Sequence, residues 1–257
     1  MARRIASLDD AVFADGSLLV LPLGAHEHHG PHLPFETDTI IADAVADRLV
    51  AALGTEPVTV LPAEPIGYSP EHMDFEGTRT LRYDEAVERW CGIGERAAAR
   101  GLRRMMLLNA HGGNAPLMSV VAQELRVRAN LLCVTTSWTR HGNPASVVGS
   151  DEKAFGIHGG DIETSLMLAV APERVDMAAA RRHDSLQRRL AERHELLRAY
   201  GPHAFGWTMR DLSPTGVAGD ASAATREKGE RLLAEAVEGL MTLVRETLDF
   251  DLADLAV

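Results

Sequence analysis

Cysteine is nearly absent from this sequence. The 257-residue chain has two, Cys91 and Cys133, and no Cys-x-x-Cys pair. At most one bridge can form, so a disulfide framework and a thiolate zinc site are both excluded, and a reducing compartment suits the chain. Positive charge is also scarce. Lysine and arginine number 26 against 37 aspartates and glutamates, for a formal net charge of −11 at pH 7. A nucleic-acid backbone or an anionic membrane surface is therefore repelled on average. No run approaches the ~18 apolar residues of a membrane span. Met1–Asp10 carries two arginines and then turns acidic, without the apolar stretch of a secretory signal. The expectation is a cytoplasmic protein with neither a nucleic-acid nor a membrane partner. Phosphate-loop and dinucleotide fingerprints are missing, and so is a nucleophile elbow.

What remains is the composition of a globular protein: 46% hydrophobic and 25% charged residues, with a mean hydropathy of −0.08. No linker or internal repeat divides the chain, so residues 1–257 read as one domain. Histidine is the unusual component. There are eleven, and His26, His28, His29 and His32 fall within seven residues.

Apolar patterning gives the architecture. Leu18–Leu23 is continuously apolar, as in a strand buried on both faces, and Ile40 to Leu53 repeats at helical spacing up to Gly54. Val58–Leu61 is a second strand. A helix capped by Asp84 runs toward Gly101, and a third strand spans Arg103–Leu108. Asn114 is placed to cap a helix reaching Ala129, and Leu131–Thr136 is a further strand. Strands alternating with helices predict a mainly parallel sheet covered on both faces. Beyond it, Asp184–Tyr200 reads as a charged amphipathic helix and Thr225 to about Leu248 as a closing helix.

Residues just after parallel strands converge at one edge of such a sheet. Two of these loops are rich in polar side chains: Gly24–Asp38, with four histidines and Glu27, Glu36 and Asp38, and Asn109–Asn114, with His111. Imidazole and carboxylate donors without thiolates suit zinc, manganese or iron, and a shared carboxylate suits a dinuclear hydrolytic site. His26-Glu27-His28-His29-Gly30 is not a helical zinc motif, because the second histidine is missing and Gly30-Pro31 ends any helix. Taken one at a time, each candidate has a purely structural alternative. Thr37 and Asp38 stand where a helix cap is expected, His111 could bond backbone, and Glu163 could be a first-turn carboxylate.

Three separated motifs, Glu27-His28-His29-Gly30-Pro31-His32-Leu33-Pro34 with Thr37-Asp38, Asn109-Ala110-His111-Gly112-Gly113-Asn114, and His158-Gly159-Gly160-Asp161-Ile162-Glu163-Thr164-Ser165, resemble the creatininase family in the right order. The resemblance implies a three-layer αβα sandwich, usually a homohexamer, and hydrolysis of C–N bonds in cyclic or linear amides. It implies that Glu27, Asp38 and His111 hold one divalent ion and that His29, Asp38 and Glu163 hold the other, with Asp38 bridging. Zn²⁺ and Mn²⁺ are the expected ions, with Fe²⁺ as an alternative, and a metal-bridging hydroxide is the expected nucleophile. His158 is implied in substrate contact and proton transfer, and Ser69 and Gly112 in substrate contact. His28 and His32 are read as partners that orient the ligands.

The chain also departs from creatininase proper. Gly113 replaces an acidic residue two positions after His111, and Lys153-Ala154-Phe155 replaces a segment bearing tryptophan before His158. The preferred reading is an amidohydrolase of a small-molecule amide. The alternatives are a formamide hydrolase or a precursor peptidase of cofactor biosynthesis and, in another class, a non-catalytic metal-binding assembly protein.

Overall fold

The computed structural model describes residues 1–11, 13–141 and 146–255. Five parallel strands form the central sheet: β1 (Arg3–Arg4), β2 (Leu18–Leu23), β3 (Val58–Val60), β4 (Arg104–Asn109) and β5 (Leu132–Ser137), in the order β1-β3-β2-β4-β5. Helix α1 (Thr37–Leu53) connects β2 to β3, α2 (Tyr83–Ala98) crosses to β4, and α3 (Ala115–Ala129) leads to β5. Winding thus reverses beside β2. The crevice beyond the carboxyl ends of β2 and β4 is the point where open α/β sheets place their ligands.

Strand periodicity sorts the core onto two faces. Leu18, Val20, Met106 and Leu108 pack with α1 residues Ile41, Val45 and Leu49 and with two later helices, α5 (Asp161–Val170) and α8 (Arg226–Asp249). Leu19, Leu21, Leu23, Met105 and Leu107 face Trp90 and Cys91 of α2 and Val121 and Leu125 of α3. Each sheet face thus meets its own helix layer, which completes the αβα sandwich. Pro22 is tolerated inside a central strand because its carbonyl side, and hence its missing N–H, faces the β3 edge, where regular pairing stops at Val60. The ladder to β4 continues through Leu23.

Short elements close the carboxyl-terminal third: α4 (Ser150–Phe155), α6 (Leu186–Arg193), α7 (Met209–Leu212) and an antiparallel pair, β6 (Arg182–His183) with β7 (Gly219–Asp220). Three local expectations are corrected. The amphipathic helix expected over Asp184–Tyr200 is confined to Leu186–Arg193, and Trp207 donates its indole N–H to the Ala199 carbonyl in the irregular backbone that follows. Helix α2 is capped at Arg82, whose N–H donates to Glu85, while Asp84 pairs with the Arg82 guanidinium. Asn114 stands at the α3 cap position but makes no cap bond; its amide is used elsewhere. No helix among the described residues is long and apolar enough to cross a membrane.

Candidate metal centre

The loop after β2 carries the first donors. Its direction is set at Gly30, whose φ of +79° favours glycine, and by Thr37, whose hydroxyl donates to the Pro34 carbonyl at 2.7 Å. Asp38 in the first turn of α1 does not cap the helix. Its Oδ1 faces His29 Nε2 at 3.6 Å and its Oδ2 faces His111 Nδ1 at 3.4 Å. Glu27 Oε1 lies 3.2 Å from His111 Nδ1, 3.5 Å from His72 Nε2 and 3.6 Å from His158 Nδ1. Glu163, from the first turn of α5, joins His29 and His158 in a group whose donor atoms all lie within 4.8 Å of one another. The five sequence-predicted ligands thus converge in one cluster, with His158 among them.

Hydrogen bonds at the far side of each ring set its donor face. His29 Nδ1–H donates to the Glu27 carbonyl at 2.9 Å, leaving Nε2 toward Asp38. His111 Nε2 lies 3.0 Å from the Tyr68 carbonyl and 3.2 Å from Ser69 Oγ, leaving Nδ1 toward both carboxylates. Backbone bonds that fix an imidazole's tautomer and orientation are what metal-ligating histidines require. His158 Nε2–H donates to the His28 carbonyl at 2.7 Å, so only its Nδ1 lone pair faces inward.

Electrostatics agree with that arrangement. Burial opposes ionisation of Glu27, but the imidazoles of His111, His72 and His158 overcome it and hold the carboxyl well below the usual range. Against its burial Asp38 is likewise lowered, chiefly by His29. Burial disfavours a charged His29, yet Asp38, Glu163 and Glu27 push it up to about 10. Against the same burial His111 is raised well above the ordinary value by Glu27 and Asp38. Burial together with neighbouring imidazoles lowers His158, and takes His72 down to about 2. The cluster therefore sets its buried carboxylates against two imidazoles, His29 and His111, whose charged forms they favour.

Glu27 Oε1 and Oε2, Asp38 Oδ2, His29 Nε2 and His72 Nδ1 are all buried without a hydrogen-bond partner. An unsatisfied buried polar group costs about 1–3 kcal/mol, and here those of Glu27, Asp38 and His29 converge on one another. A cation held among them satisfies several at once, so the donor set fits one or more divalent ions.

The remaining expected residues divide. Ser69 is fully buried against His111. Gly112 lies exposed at the turn after His111. The His28 ring stacks on Phe75 at 4.4 Å, and it is the His28 carbonyl that holds His158. His32 Nε2 is 3.0 Å from the Gly159 carbonyl and 3.1 Å from Thr164 Oγ1, which braces the α5 entry. Phe155, in the segment that departs from creatininase proper, lies under the Arg188 guanidinium at 4.2 Å.

Three contributors lie outside the sequence expectations. Asn114 accepts from Tyr68 N–H and donates to the Gly24 carbonyl and to Asn109 Oδ1, tying three site loops together. Buried Glu152 accepts from the N–H groups of Asp161 and Asp220 and anchors the His158–Asp161 turn. Glu71 reaches the rim of the cluster, and burial raises its carboxyl pKa. The Asn-x-His-Gly-Gly-Asn spacing is the available signal for Asn114; Glu152 and Glu71 have none that periodicity could expose.

Known proteins resemble this chain over most of its length. The chain is 32% identical over 225 residues to a mycofactocin precursor peptide peptidase from Mycolicibacterium smegmatis, covering 86% of this chain and 82% of that one. It is 28% identical over 252 residues to a creatinine amidohydrolase from Pseudomonas putida, covering 91% of each. A solved manganese creatininase superposes with a TM-score of 0.72 at 27% identity, over 92% of this chain and 93% of that one. The creatininase (creatinine amidohydrolase) family profile matches residues 6–244. With its parallel-sheet sandwich and buried carboxylate–imidazole cluster, the chain belongs to the creatininase family of hydrolases acting on carbon–nitrogen bonds.

Proposed function

We propose that the protein is a dinuclear-metal amidohydrolase, with Glu27, Asp38 and His111 holding one ion, His29, Asp38 and Glu163 the other, and Asp38 shared. The observation that carries this reading is the convergence of buried, unpartnered donor atoms from Glu27, Asp38 and His29 beside His111. Divalent ions bound there supply a water acidic enough to react near neutral pH and polarise the scissile carbonyl.

The chain's own groups supply the rest. Glu27 and Asp38 set the charge of the floor, while the Glu27 and Tyr68 carbonyls orient His29 and His111. His158 presents a lone pair at Nδ1, suited to accepting a proton. In this reading the exposed backbone at Gly112 contacts the amide, and buried Ser69 acts beside it through its contact with His111. A homohexameric, cytoplasmic enzyme acting on a small-molecule amide belongs to the same reading, and the assembly is read out by sedimentation.

A peptide end is the second substrate class, because the relative at 32% identity is a precursor peptide peptidase and Gly113 removes an acid found in creatininase proper. The test is to strip metal with a chelator, confirm removal by elemental analysis, and restore Zn²⁺, Mn²⁺ or Fe²⁺. Turnover is followed on lactams, hydantoins, formamides and short peptides. Activity that needs restored metal supports the reading, and hydrolysis undiminished by verified metal removal refutes it. Bound metal without turnover on any substrate favours a binding protein.

A further inference from the structure

The turn after Ser69 carries a carboxylate that the proposed ligand set leaves unused. Glu71 sits between Ser69, which touches His111, and His72, which faces Glu27. Its Oε1 is 3.7 Å from His111 Nε2, and it belongs with Glu27 and His111 to a group whose donor atoms lie within 4.8 Å of one another. The side chain is 15% exposed, against 1% for Glu27 and Asp38. It approaches His111 on the nitrogen opposite the one aimed at Glu27 and Asp38, which places it beside the metal ligands and at the solvent edge.

Gly113 is what admits it. A Cβ at position 113 would stand 2.3 Å from the Tyr68 carbonyl oxygen, 2.4 Å from His111 Nε2 and 2.7 Å from Glu71 Oε1. The Tyr68 oxygen is backbone and cannot swing away, so a side chain at 113 and the inward path of residues 68–71 exclude each other. The chain has its glycine at 113 and its carboxylate at 71.

Amide hydrolysis needs a group that takes a proton from water and returns one to the departing nitrogen. His158 Nδ1 lies 3.6 Å from Glu27 Oε1 on a buried ring, so it serves the floor of the cluster rather than the solvent edge where a leaving nitrogen departs. Glu163 Oε2 is engaged by the Gly159 N–H. We infer that Glu71 is the proton carrier of the reaction, a role that rests on the amidohydrolase reading. As the water oxygen bonds to the carbonyl carbon, its proton passes to the Glu71 carboxylate. As the C–N bond breaks, that proton passes to the nitrogen, giving a carboxylic acid and an amine with water as the only co-reactant.

The test is Glu71→Gln in metal-loaded protein, with metal content measured by elemental analysis. Turnover is compared on an unactivated amide and on the matched p-nitrophenyl ester, whose phenolate leaves without a proton. The expected result is unchanged metal content, a loss of about 10²–10⁴ in kcat on the amide and a much smaller loss on the activated ester. Full amide turnover by Glu71→Gln overturns the inference, as does an equal loss on both substrates. Loss of metal makes Glu71 a ligand and overturns it too. Wild-type protein without turnover on any substrate sinks the amidohydrolase reading and this inference together, whereas active wild type beside an unimpaired Glu71→Gln sinks this inference alone.

Discussion

Loading the cluster with divalent metal should expel protons, and the number can be worked out from the site. In the metal-free chain His29 titrates at about 10, because its burial is outweighed by Asp38, Glu163 and Glu27. Its Nδ1–H is held by the Glu27 carbonyl, so an ion must take Nε2 and displace the proton there. His111 is raised in the same way, with Nδ1 as its inward atom. At pH 7 His29 is protonated before loading, so full occupancy releases at least one proton. Below pH 10 the His29 proton alone weakens apparent affinity about tenfold per pH unit, or about 100-fold between pH 9 and pH 7, equivalent to roughly 2.7 kcal/mol. Calorimetric titration in buffers of different ionisation enthalpy counts the protons, and repeating it from pH 7 to 9 gives the slope. Release of less than one proton at pH 7, or an affinity flat across that range, would show that His29 is not a ligand.

Further outcomes follow from the same contacts. Asp38→Asn should lower the bound metal per chain, and unchanged stoichiometry by elemental analysis would refute a bridging role. In chelated protein the raised His29 pKa contributes stability that is complete below about pH 6.5 and fades as pH rises through about 10, so the denaturant midpoint should fall over that interval. His28 and His32 act in the opposite direction. Burial first, and nearby positive groups second, lower both to about 4, so the unfolded chain protonates earlier and stability should drop from pH 6.5 toward 4. Glu152→Ala leaves the Asp161 and Asp220 N–H groups without their acceptor, at a cost of about 2–4 kcal/mol. Calorimetry should then find Tm lower by roughly 5–10 °C, and an unchanged Tm would mean that water replaces the carboxylate.

Much of the sandwich is legible because buried parallel strands are written as unbroken apolar runs. Leu18–Leu23 and Arg104–Asn109 lie within a residue of expectation, and helix α1 ends at Leu53 as the periodicity places it, although it starts a turn earlier, at Thr37. The differences cluster where tertiary contacts override local chemistry. Asp38 has the position of a cap and is a cluster carboxylate; Asn114 has the position of a cap and is a tie between loops. The charge pattern over Asp184–Tyr200 favours a longer helix than forms. Gln187 accepts from the Ala199 N–H instead, which folds the chain back before Tyr200. The donors are legible as residue types in loops after strands. Their ring orientations are not, because these depend on carbonyls such as those of Tyr68 and His28, which carry no side-chain signal.

The attachment of α5 bears on when the centre can assemble during synthesis. Glu163 comes from a helix that packs along α8, where Ser165 accepts from Thr225 N–H and Asp161 pairs with Lys228. Domains tend to fold as units as they leave the ribosome, and α8 is the last long element to emerge. Glu27, Asp38 and His111 are translated early, but the second half of the donor set is fixed only after the carboxyl-terminal helix has docked. A nascent or truncated chain therefore offers at most half a centre, so occupancy of both halves reports that synthesis and folding are complete.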